Sequence, residues 1–176
     1  VLATVAARAA RAGFDVLLAS SDKDLFQMVG PGVSVIAPGH VEERIGPAEV
    51  QARIGVRPDQ IVVWLALTGD QADNIRGVPG IGPKTAARLL VRWPTLAELL
   101  AHLDEVEPEK TRVALSESRA LLARNERLLR LRTDLEGLPD PERLRARAPD
   151  ARRLLEVYET LNFQSLARAL REPTLF

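Results

Sequence analysis

The sequence predicts an α/β fold, in which part of a parallel-sheet domain is followed by a mainly helical C-terminal half. Two short apolar runs, residues 14–20 and 33–37, are bounded by glycine and polar residues, as buried parallel strands are. After residue 68 the apolar spacing is helical almost throughout. These observations predict two parts: the end of a sheet domain over residues 1–67 and a helical subdomain over residues 68–176.

The first helix is predicted over residues 1–13, with apolar residues every three or four positions and Gly13 as its stop. No Ser, Thr, Asp or Asn caps it before Val1, so we expect that the helix starts upstream and that the chain is a fragment. A short helix over residues 22–29 separates the two strands. The other predicted elements are helices over 47–54, 58–67, 83–92, 95–103, 109–124, 141–147, 150–160 and 163–171, and an extended segment over 130–135.

The composition restricts the chemistry that the chain can perform. Cysteine is absent, which excludes disulfides, thiolate zinc sites and cysteine nucleophiles. The only histidines are His40 and His102, which disfavours a histidine-based centre. No apolar run approaches the roughly 18 residues of a membrane span. Any catalysis must therefore depend on carboxylates, which favour hard cations such as Mg²⁺ or Mn²⁺.

The most informative segment is a glycine-rich turn, for which we predict a helix–hairpin–helix over residues 74–91. A helix ends, the turn Gly-Val-Pro-Gly-Ile-Gly follows, and a second helix starts with Pro83. The glycines let a phosphate approach the backbone, and the free N–H groups of the second helix attract it. Although the net charge is zero, residues 74–97 contain no acid. The predicted contacts to DNA are Gly77, Val78, Gly80, Ile81, Gly82, Lys84, Thr85 and Arg88.

Two other interpretations of this turn are possible. Gly77 and Gly82 have the separation found in a nucleotide-binding P-loop, and Lys84-Thr85 follow them. However, Pro83 separates Gly82 from Lys84 and removes an N–H group from the phosphate cradle. The remaining alternative is a glycine turn that joins two helices and binds no ligand. Three glycines, two prolines, a helix start and a basic flank favour the phosphate-binding interpretation.

Two pairs of aspartates are candidates for metal binding. Asp22 and Asp24 follow the first predicted strand, and the carboxyl end of a parallel strand is where α/β folds place their chemistry. Asp70 and Asp73 come just before the hairpin and would point the same way on a helical turn. Taken alone, either pair is typical of helix caps. Next to a phosphate-binding hairpin, four clustered carboxylates instead favour a site for two metal ions that cleaves a phosphodiester.

Three blocks of the chain carry a family resemblance. They are Ser20-Ser21-Asp22-Lys23-Asp24-Leu25, Leu65-Ala66-Leu67-Thr68-Gly69-Asp70-Gln71-Ala72-Asp73-Asn74 and Gly77-Val78-Pro79-Gly80-Ile81-Gly82-Pro83-Lys84-Thr85-Ala86. In order and spacing they resemble the 5′→3′ exonuclease (structure-specific flap endonuclease) domain of bacterial DNA polymerase I. The resemblance extends over the whole chain and is most specific up to residue 92. Arg76 stands where the common family pattern has Pro, which leaves the turn intact.

The resemblance implies an incomplete PIN-like or Rossmann-like parallel-sheet domain followed by a helix–hairpin–helix (helix-3-turn-helix) subdomain. It implies that Asp22, Asp24, Asp70 and Asp73 are catalytic metal ligands for two Mg²⁺ or Mn²⁺ ions, and it allows a K⁺ ion at the hairpin carbonyls. In this family further acidic residues precede the helix that opens this chain. We therefore expect the chain alone to be inactive.

The predicted function is a 5′→3′ exonuclease or 5′-flap endonuclease that hydrolyses DNA phosphodiesters in replication and repair. The implied partners are double-stranded DNA with a 5′ end or flap and a fused DNA polymerase domain, in the cytoplasm of a bacterium at the nucleoid. The alternative is a non-catalytic module that binds duplex DNA through the same hairpin, independently of sequence. Carboxylates upstream of Val1 would discriminate between the two.

Overall fold

The computed structural model describes residues 1–39, 42–146 and 148–171, which form two compact units, Val1–Pro141 and Glu142–Phe176. The predicted boundary between a sheet domain (residues 1–67) and a helical subdomain (residues 68–176) lies within the first unit. That boundary stays a prediction. The helices are α1 Leu2–Arg11, α2 Pro47–Ile54, α3 Ile61–Thr68, α4 Pro83–Arg92, α5 Leu96–Ala101, α6 Glu109–Glu117, α7 Arg119–Leu129, α8 Ala151–Thr160 and α9 Gln164–Arg171. The strands are β1 Val16–Ala19, β2 Val33–Ile36, β3 Gly69–Asp70 and β4 Ile75–Arg76. Short 3-10 helices cover Lys23–Met28, Pro58–Gln60, Leu103–Glu105 and Pro141–Arg143.

The α/β character and the parallel pairing are confirmed. β1 and β2 run parallel, with Val16 opposite Val33 and Ala19 opposite Ile36. On its other side β2 pairs with Ile45, whereas among the described residues β1 has β2 as its only partner. α1 packs on β1, and Gly13 ends the turn after the helix with φ 85°. This arrangement puts the carboxyl end of β1 directly before the first pair of aspartates.

Helix α3 is the centre of the first unit. Six of its eight residues are buried, because it is covered by α4, by α7 and by the 3-10 helix Lys23–Met28. Trp93, which follows the last residue of α4, is also buried. Trp64 is only half-buried, and its indole Nε1 donates a 3.3 Å hydrogen bond to the Pro83 carbonyl oxygen in the first turn of α4. The two helices are therefore tied together close to the glycine turn.

Several predicted elements are wrong in detail. The helix predicted over residues 109–124 is two helices, α6 and α7, which meet at the buried residue Ser118. The segment 130–135, predicted to be extended, belongs to neither a helix nor a strand, and the Thr4 hydroxyl on α1 donates to its Arg132 carbonyl oxygen at 2.9 Å. The helix predicted over 141–147 is a single 3-10 turn through residue 143, and Arg147 lies outside the described residues. Of the two histidines, for which no place in a catalytic centre was expected, His102 is exposed and His40 lies outside the described residues.

The second unit contains α8 and α9, which pack against each other. The Tyr158 and Phe163 rings lie 6.4 Å apart between centroids, and Arg171 forms an ion pair with Glu159. Asn162 adopts φ 57° in the turn between the two helices, a conformation that asparagine tolerates better than most residues. No helix built from the described residues combines the length and apolar character that would let it span a bilayer.

Candidate metal centre and nucleic-acid interface

The first pair of aspartates lies on the turn that leaves β1. Asp22 caps the 3-10 helix Lys23–Met28: its Oδ1 accepts a 3.0 Å hydrogen bond from the Asp24 backbone N–H. Asp22 therefore satisfies a free N–H group at the start of this helix with its own side chain. The side chain of Asp24 is consequently buried beneath the turn, and that of Asp22 stays exposed.

The second pair lies on a β-hairpin, so the predicted helical turn is wrong. β3 and β4 pair antiparallel, with Gly69 opposite Arg76 and Asp70 opposite Ile75. The Asp70 Oδ1 accepts a 3.0 Å hydrogen bond from the Ala72 N–H, and Asn74 has φ 55° where the chain turns back. A hairpin of this kind presents Asp70 and Asp73 from one small loop.

Three of the four predicted aspartates lie close together in the structure, although Asp24 is far from the other two in sequence. One carboxylate oxygen each from Asp24, Asp70 and Asp73 lies within 4.8 Å of the others. Asp22 is not a member of this cluster, although its negative charge contributes to the raised pKa of Asp24. We call Asp24, Asp70 and Asp73 the carboxylate cluster. Oxygen-only ligands at this spacing fit a hard divalent cation.

Asp24 is the member of the cluster whose negative charge is disfavoured by its surroundings. Burial is the main cause that raises the pKa of Asp24 from its ordinary 3.8 to about 6, and neighbouring carboxylates add to the rise. These carboxylates belong to Asp22, Asp70 and Asp73, while the ammonium of Lys23 acts in the opposite direction. The buried Oδ1 of Asp24 has no hydrogen-bond partner within the described part of the chain. A bound cation would supply both the missing partner and the missing charge.

Two glycines join the carboxylate cluster to the glycine turn. A Cβ added to Gly77 would lie 2.3 Å from the Thr68 carbonyl carbon and 2.5 Å from the Gly69 nitrogen. One added to Gly69, which has φ 80°, would lie 2.4 Å from the Gly77 nitrogen. Only glycine permits this close backbone approach. We call this contact between Gly69 and Gly77 the glycine neck.

The turn predicted to bind phosphate begins at this neck, and its first helix differs from the prediction. Residues 69–82 contain no helix; the helix that precedes the turn is α3, which ends at Thr68. The Val78 N–H donates to the Leu67 carbonyl oxygen at 2.8 Å, and the Ile81 N–H donates to the Val78 carbonyl oxygen at 3.1 Å. The second helix, α4, starts at Pro83 as predicted, and no side chain caps it. Its N-terminus therefore offers N–H groups to an anion.

The residues predicted to contact DNA occupy different environments in the turn. The side chains of Val78 and Ile81 are buried and anchor it to the core, which leaves their backbone groups for any ligand. Lys84 and Arg88 are exposed on α4, one helical turn apart, and Thr85 is half-buried. Gly77 is half-buried, and Gly80 and Gly82 are exposed, with open space where a Cβ would be.

Asn125 is a positioning residue that the sequence reasoning missed. It is fully buried on α7, and its amide nitrogen donates to the Arg76 carbonyl oxygen at 2.7 Å and to the Ala66 carbonyl oxygen at 3.2 Å. These bonds connect α7 to α3, which precedes the hairpin, and to β4, which ends it. The signal was present in the sequence, because Asn125 is a polar residue in the apolar stripe of α7 between Leu122 and Leu129.

Gln27 has a similar role for the other aspartate segment, and it was missed as well. Its amide nitrogen donates to the Leu129 carbonyl oxygen at 3.1 Å, and its Oε1 accepts from the Leu131 N–H at 3.0 Å. Leu129 is the last residue of α7, and Leu131 follows two residues later. The 3-10 helix that carries Asp24 is thereby fixed to the same helix that fixes the hairpin.

A sequence profile described as 5′-3′ exonuclease, C-terminal SAM fold, matches residues 56–152, which is more than half of the chain. The chain belongs to the 5′-3′ exonuclease family. The matched region contains Asp70, Asp73, the glycine neck, the glycine turn and α4 through α7. The resemblance seen in the three sequence blocks is therefore confirmed.

Relatives of two kinds share most of this chain. The thermostable DNA polymerase I of Thermus filiformis is 42% identical over 166 residues, which cover 94% of this chain and 20% of the polymerase. A 5′-3′ exonuclease of Aquifex aeolicus is 33% identical over 168 residues, which cover 96% of this chain and 56% of the exonuclease. The chain thus spans about a fifth of the length of the polymerase and about half of the exonuclease.

The fold is also shared with a solved nuclease. A structure of the T5 5′-exonuclease with bound zinc ions superposes with a TM-score of 0.64 and 25% sequence identity, over 72% of this chain and 48% of that one. The fold class predicted from the sequence, a PIN-like α/β domain with a helical subdomain, is confirmed by this likeness.

Proposed function

We propose that this chain forms the carboxylate and DNA-binding part of a metal-dependent 5′→3′ exonuclease or 5′-flap endonuclease that hydrolyses DNA phosphodiesters. One observation carries the proposal: a carboxylate cluster within 4.8 Å adjoins, through the glycine neck, a turn whose following helix begins uncapped. The first feature suits a divalent cation and the second suits a phosphate. A phosphodiester bound at the turn would thus lie beside the metal.

Asp24, Asp70 and Asp73 would hold the metal ion. The partnerless buried oxygen of Asp24 and the raised pKa of its carboxyl support this assignment. So does the T5 5′-exonuclease structure, which contains bound zinc ions. A divalent ion such as Mg²⁺ activates water and stabilises the charge that develops on phosphate oxygens. Three carboxylates suffice for one firmly held ion, so the second ion of the two-metal prediction needs further oxygen ligands. Asp22 remains a predicted ligand of that second ion.

The glycine turn and the first turn of α4 would hold the DNA backbone. Lys84 and Arg88 are exposed and add positive charge beside the free N–H groups. Contacts of this kind go to phosphates and not to base edges, so they fix the register of the duplex without selecting a sequence. The K⁺ ion at the carbonyls of this turn and the polymerase domain as a fused partner remain predictions of the same proposal.

Cleavage of a 5′-flap duplex tests this function. The 176-residue chain and the full reading frame that encodes it are incubated with the labelled flap substrate in Mg²⁺, and in excess EDTA as the control. We expect EDTA-sensitive cleavage at the junction by the full reading frame. From the chain alone we expect little or no turnover, because the second metal ion would have too few ligands to be held in the position that catalysis requires.

Two outcomes would contradict these expectations. If the full reading frame binds the duplex but never cleaves it in Mg²⁺ or Mn²⁺, the non-catalytic DNA-binding module replaces the nuclease. If the chain alone turns over many substrates, the carboxylate cluster is sufficient for catalysis and needs no further ligands.

Replacing Lys84 by alanine should weaken binding to every duplex about equally. The loss of one phosphate contact should reduce the slope of log K against log salt by about one. Titration of several unrelated duplexes at four salt concentrations, in Ca²⁺ or without metal, measures both effects. Lys110→Ala, which removes an exposed lysine from α6, is the matched control. A variant that discriminates among base sequences, or binds as tightly as the wild type, would remove Lys84 from the interface.

A further inference from the structure

Lys23 places an ammonium group in the carboxylate cluster. Its Nζ lies 3.1 Å from Asp70 Oδ2, and the Asp70 side chain is 4% exposed while that of Lys23 is 43% exposed. The other oxygen of Asp70 already accepts the Ala72 N–H. Both oxygens of this carboxylate are therefore engaged, one by the backbone and one by a cation on a flexible stem.

No other ion pair reaches the cluster from within residues 1–39, 42–146 and 148–171. Without Lys23, three carboxylates would face one another with no compensating side-chain charge, which is unfavourable because two of them, Asp24 and Asp70, are buried. The lysine consequently acts as the counter-ion of the empty site. Because it lies one residue before Asp24, the same short turn supplies both a ligand and the cation that neutralises the ligands.

We propose that Lys23 is a tethered cation that competes with the divalent metal ion for Asp70. This inference rests on the metal centre proposed above. Asp70 Oδ2 cannot keep an ammonium and a divalent ion as close partners at once, because the two positive charges would repel each other at a few ångströms. Metal binding therefore requires Lys23 to leave Asp70. Its partly exposed side chain has solvent into which it can turn.

The competition predicts whether removing Lys23 strengthens or weakens metal binding. Removing the ammonium frees Asp70 Oδ2 and makes the cluster more negative, so the metal should bind more tightly. A lysine with a merely structural role would give the opposite sign, since its loss would disturb the ligands and weaken the metal. Arginine at this position keeps the charge and should keep the weaker affinity.

The test measures Mn²⁺ binding to the 176-residue chain without DNA, from the electron paramagnetic resonance signal of the free ion. Lys23→Met should bind Mn²⁺ about tenfold more tightly than the wild type, and Lys23→Arg should stay close to the wild type. Lys110→Met is the matched control: it removes the same charge from an exposed position on α6 and should leave the affinity unchanged.

An unchanged or weaker Mn²⁺ affinity in a folded Lys23→Met chain, checked by circular dichroism, would overturn the competition. If that variant does not fold, Lys23→Gln carries the same expectation and keeps a polar group beside Asp70. Asp70→Asn separates this inference from the proposed function. Mn²⁺ binding that is absent, or that survives Asp70→Asn, would refute the metal centre itself. Binding that is lost in Asp70→Asn but not tightened by Lys23→Met would refute only the competition.

Discussion

Replacing Asp70 by asparagine is expected to abolish Mg²⁺-dependent DNA cleavage by the full reading frame, with a loss in the single-turnover rate constant on the order of a thousandfold or more. Asp70 is the member of the cluster with the most fixed position. It is buried, its Oδ1 is held by the Ala72 N–H, and its backbone pairs with Ile75. An amide fits the same space but cannot balance the charge of a divalent ion, so the ion should be lost while the fold remains.

The measurement compares single-turnover cleavage of a 5′-flap duplex in Mg²⁺ with binding of the same duplex in its absence. Asp70→Asn should lose cleavage and keep binding within about threefold, because the glycine turn and α4 are untouched. Asp104→Asn is the matched control, since Asp104 is an exposed carboxylate outside the cluster. Cleavage at a near-normal rate in Asp70→Asn would show that the reaction does not depend on this cluster.

Much of the fold followed from local sequence signals. The bounds of α2 and α4 agree with the predicted 47–54 and 83–92, because each helix begins with a proline and carries an apolar stripe. The parallel pair β1 and β2 was likewise expected from two buried apolar runs separated by a short helix. In these cases the information lies within about ten residues, where periodicity and end signals operate.

The hairpin at Asp70 was not predictable in the same way. β3 and β4 have two residues each, so they show no alternation, and the i, i+3 spacing of Asp70 and Asp73 suggested a helical turn instead. The hairpin exists because Gly69 and Gly77 let two backbone segments touch and because Asn125 bonds to the Arg76 carbonyl oxygen. Both causes join residues that are distant in sequence.

The carboxylate cluster was likewise predictable only in part, where the signal lies in nearby residues. The sequence placed four aspartates near the ends of elements, which is a local inference. A helix cap was one of the alternatives for each pair, but the sequence did not show which member would cap. That Asp22 caps while Asp24 is buried depends on a single hydrogen bond at the start of a 3-10 helix. The sequence also assigned no role to Lys23, whose ion pair with Asp70 spans 47 positions.

The glycine neck should be the most sensitive point of the first unit to a small change. Gly77→Ala adds one methyl group, yet that group would lie 2.3 Å from the Thr68 carbonyl carbon, which is backbone and cannot turn aside. The hairpin or the end of α3 must therefore shift. We expect a loss of about 3 kcal/mol in the free energy of unfolding, at the upper end for overpacking. The shift should also separate Asp70 from Asp24 and weaken Mn²⁺ binding.

Urea denaturation followed by tryptophan fluorescence measures this loss in the first unit, because Trp64 and Trp93, the two tryptophans of the chain, both belong to it. Gly82→Ala is the control: it adds the same methyl group to the same turn, at φ −95° and with no atom within 4 Å. It should change stability by no more than about 0.5 kcal/mol. If Gly77→Ala unfolds at the wild-type urea concentration and binds Mn²⁺ as well, then the close approach of Gly69 and Gly77 does not hold the aspartates in place. If it unfolds early while Gly82→Ala does not, the backbone contact at the neck is what joins the metal ligands to the DNA-binding turn.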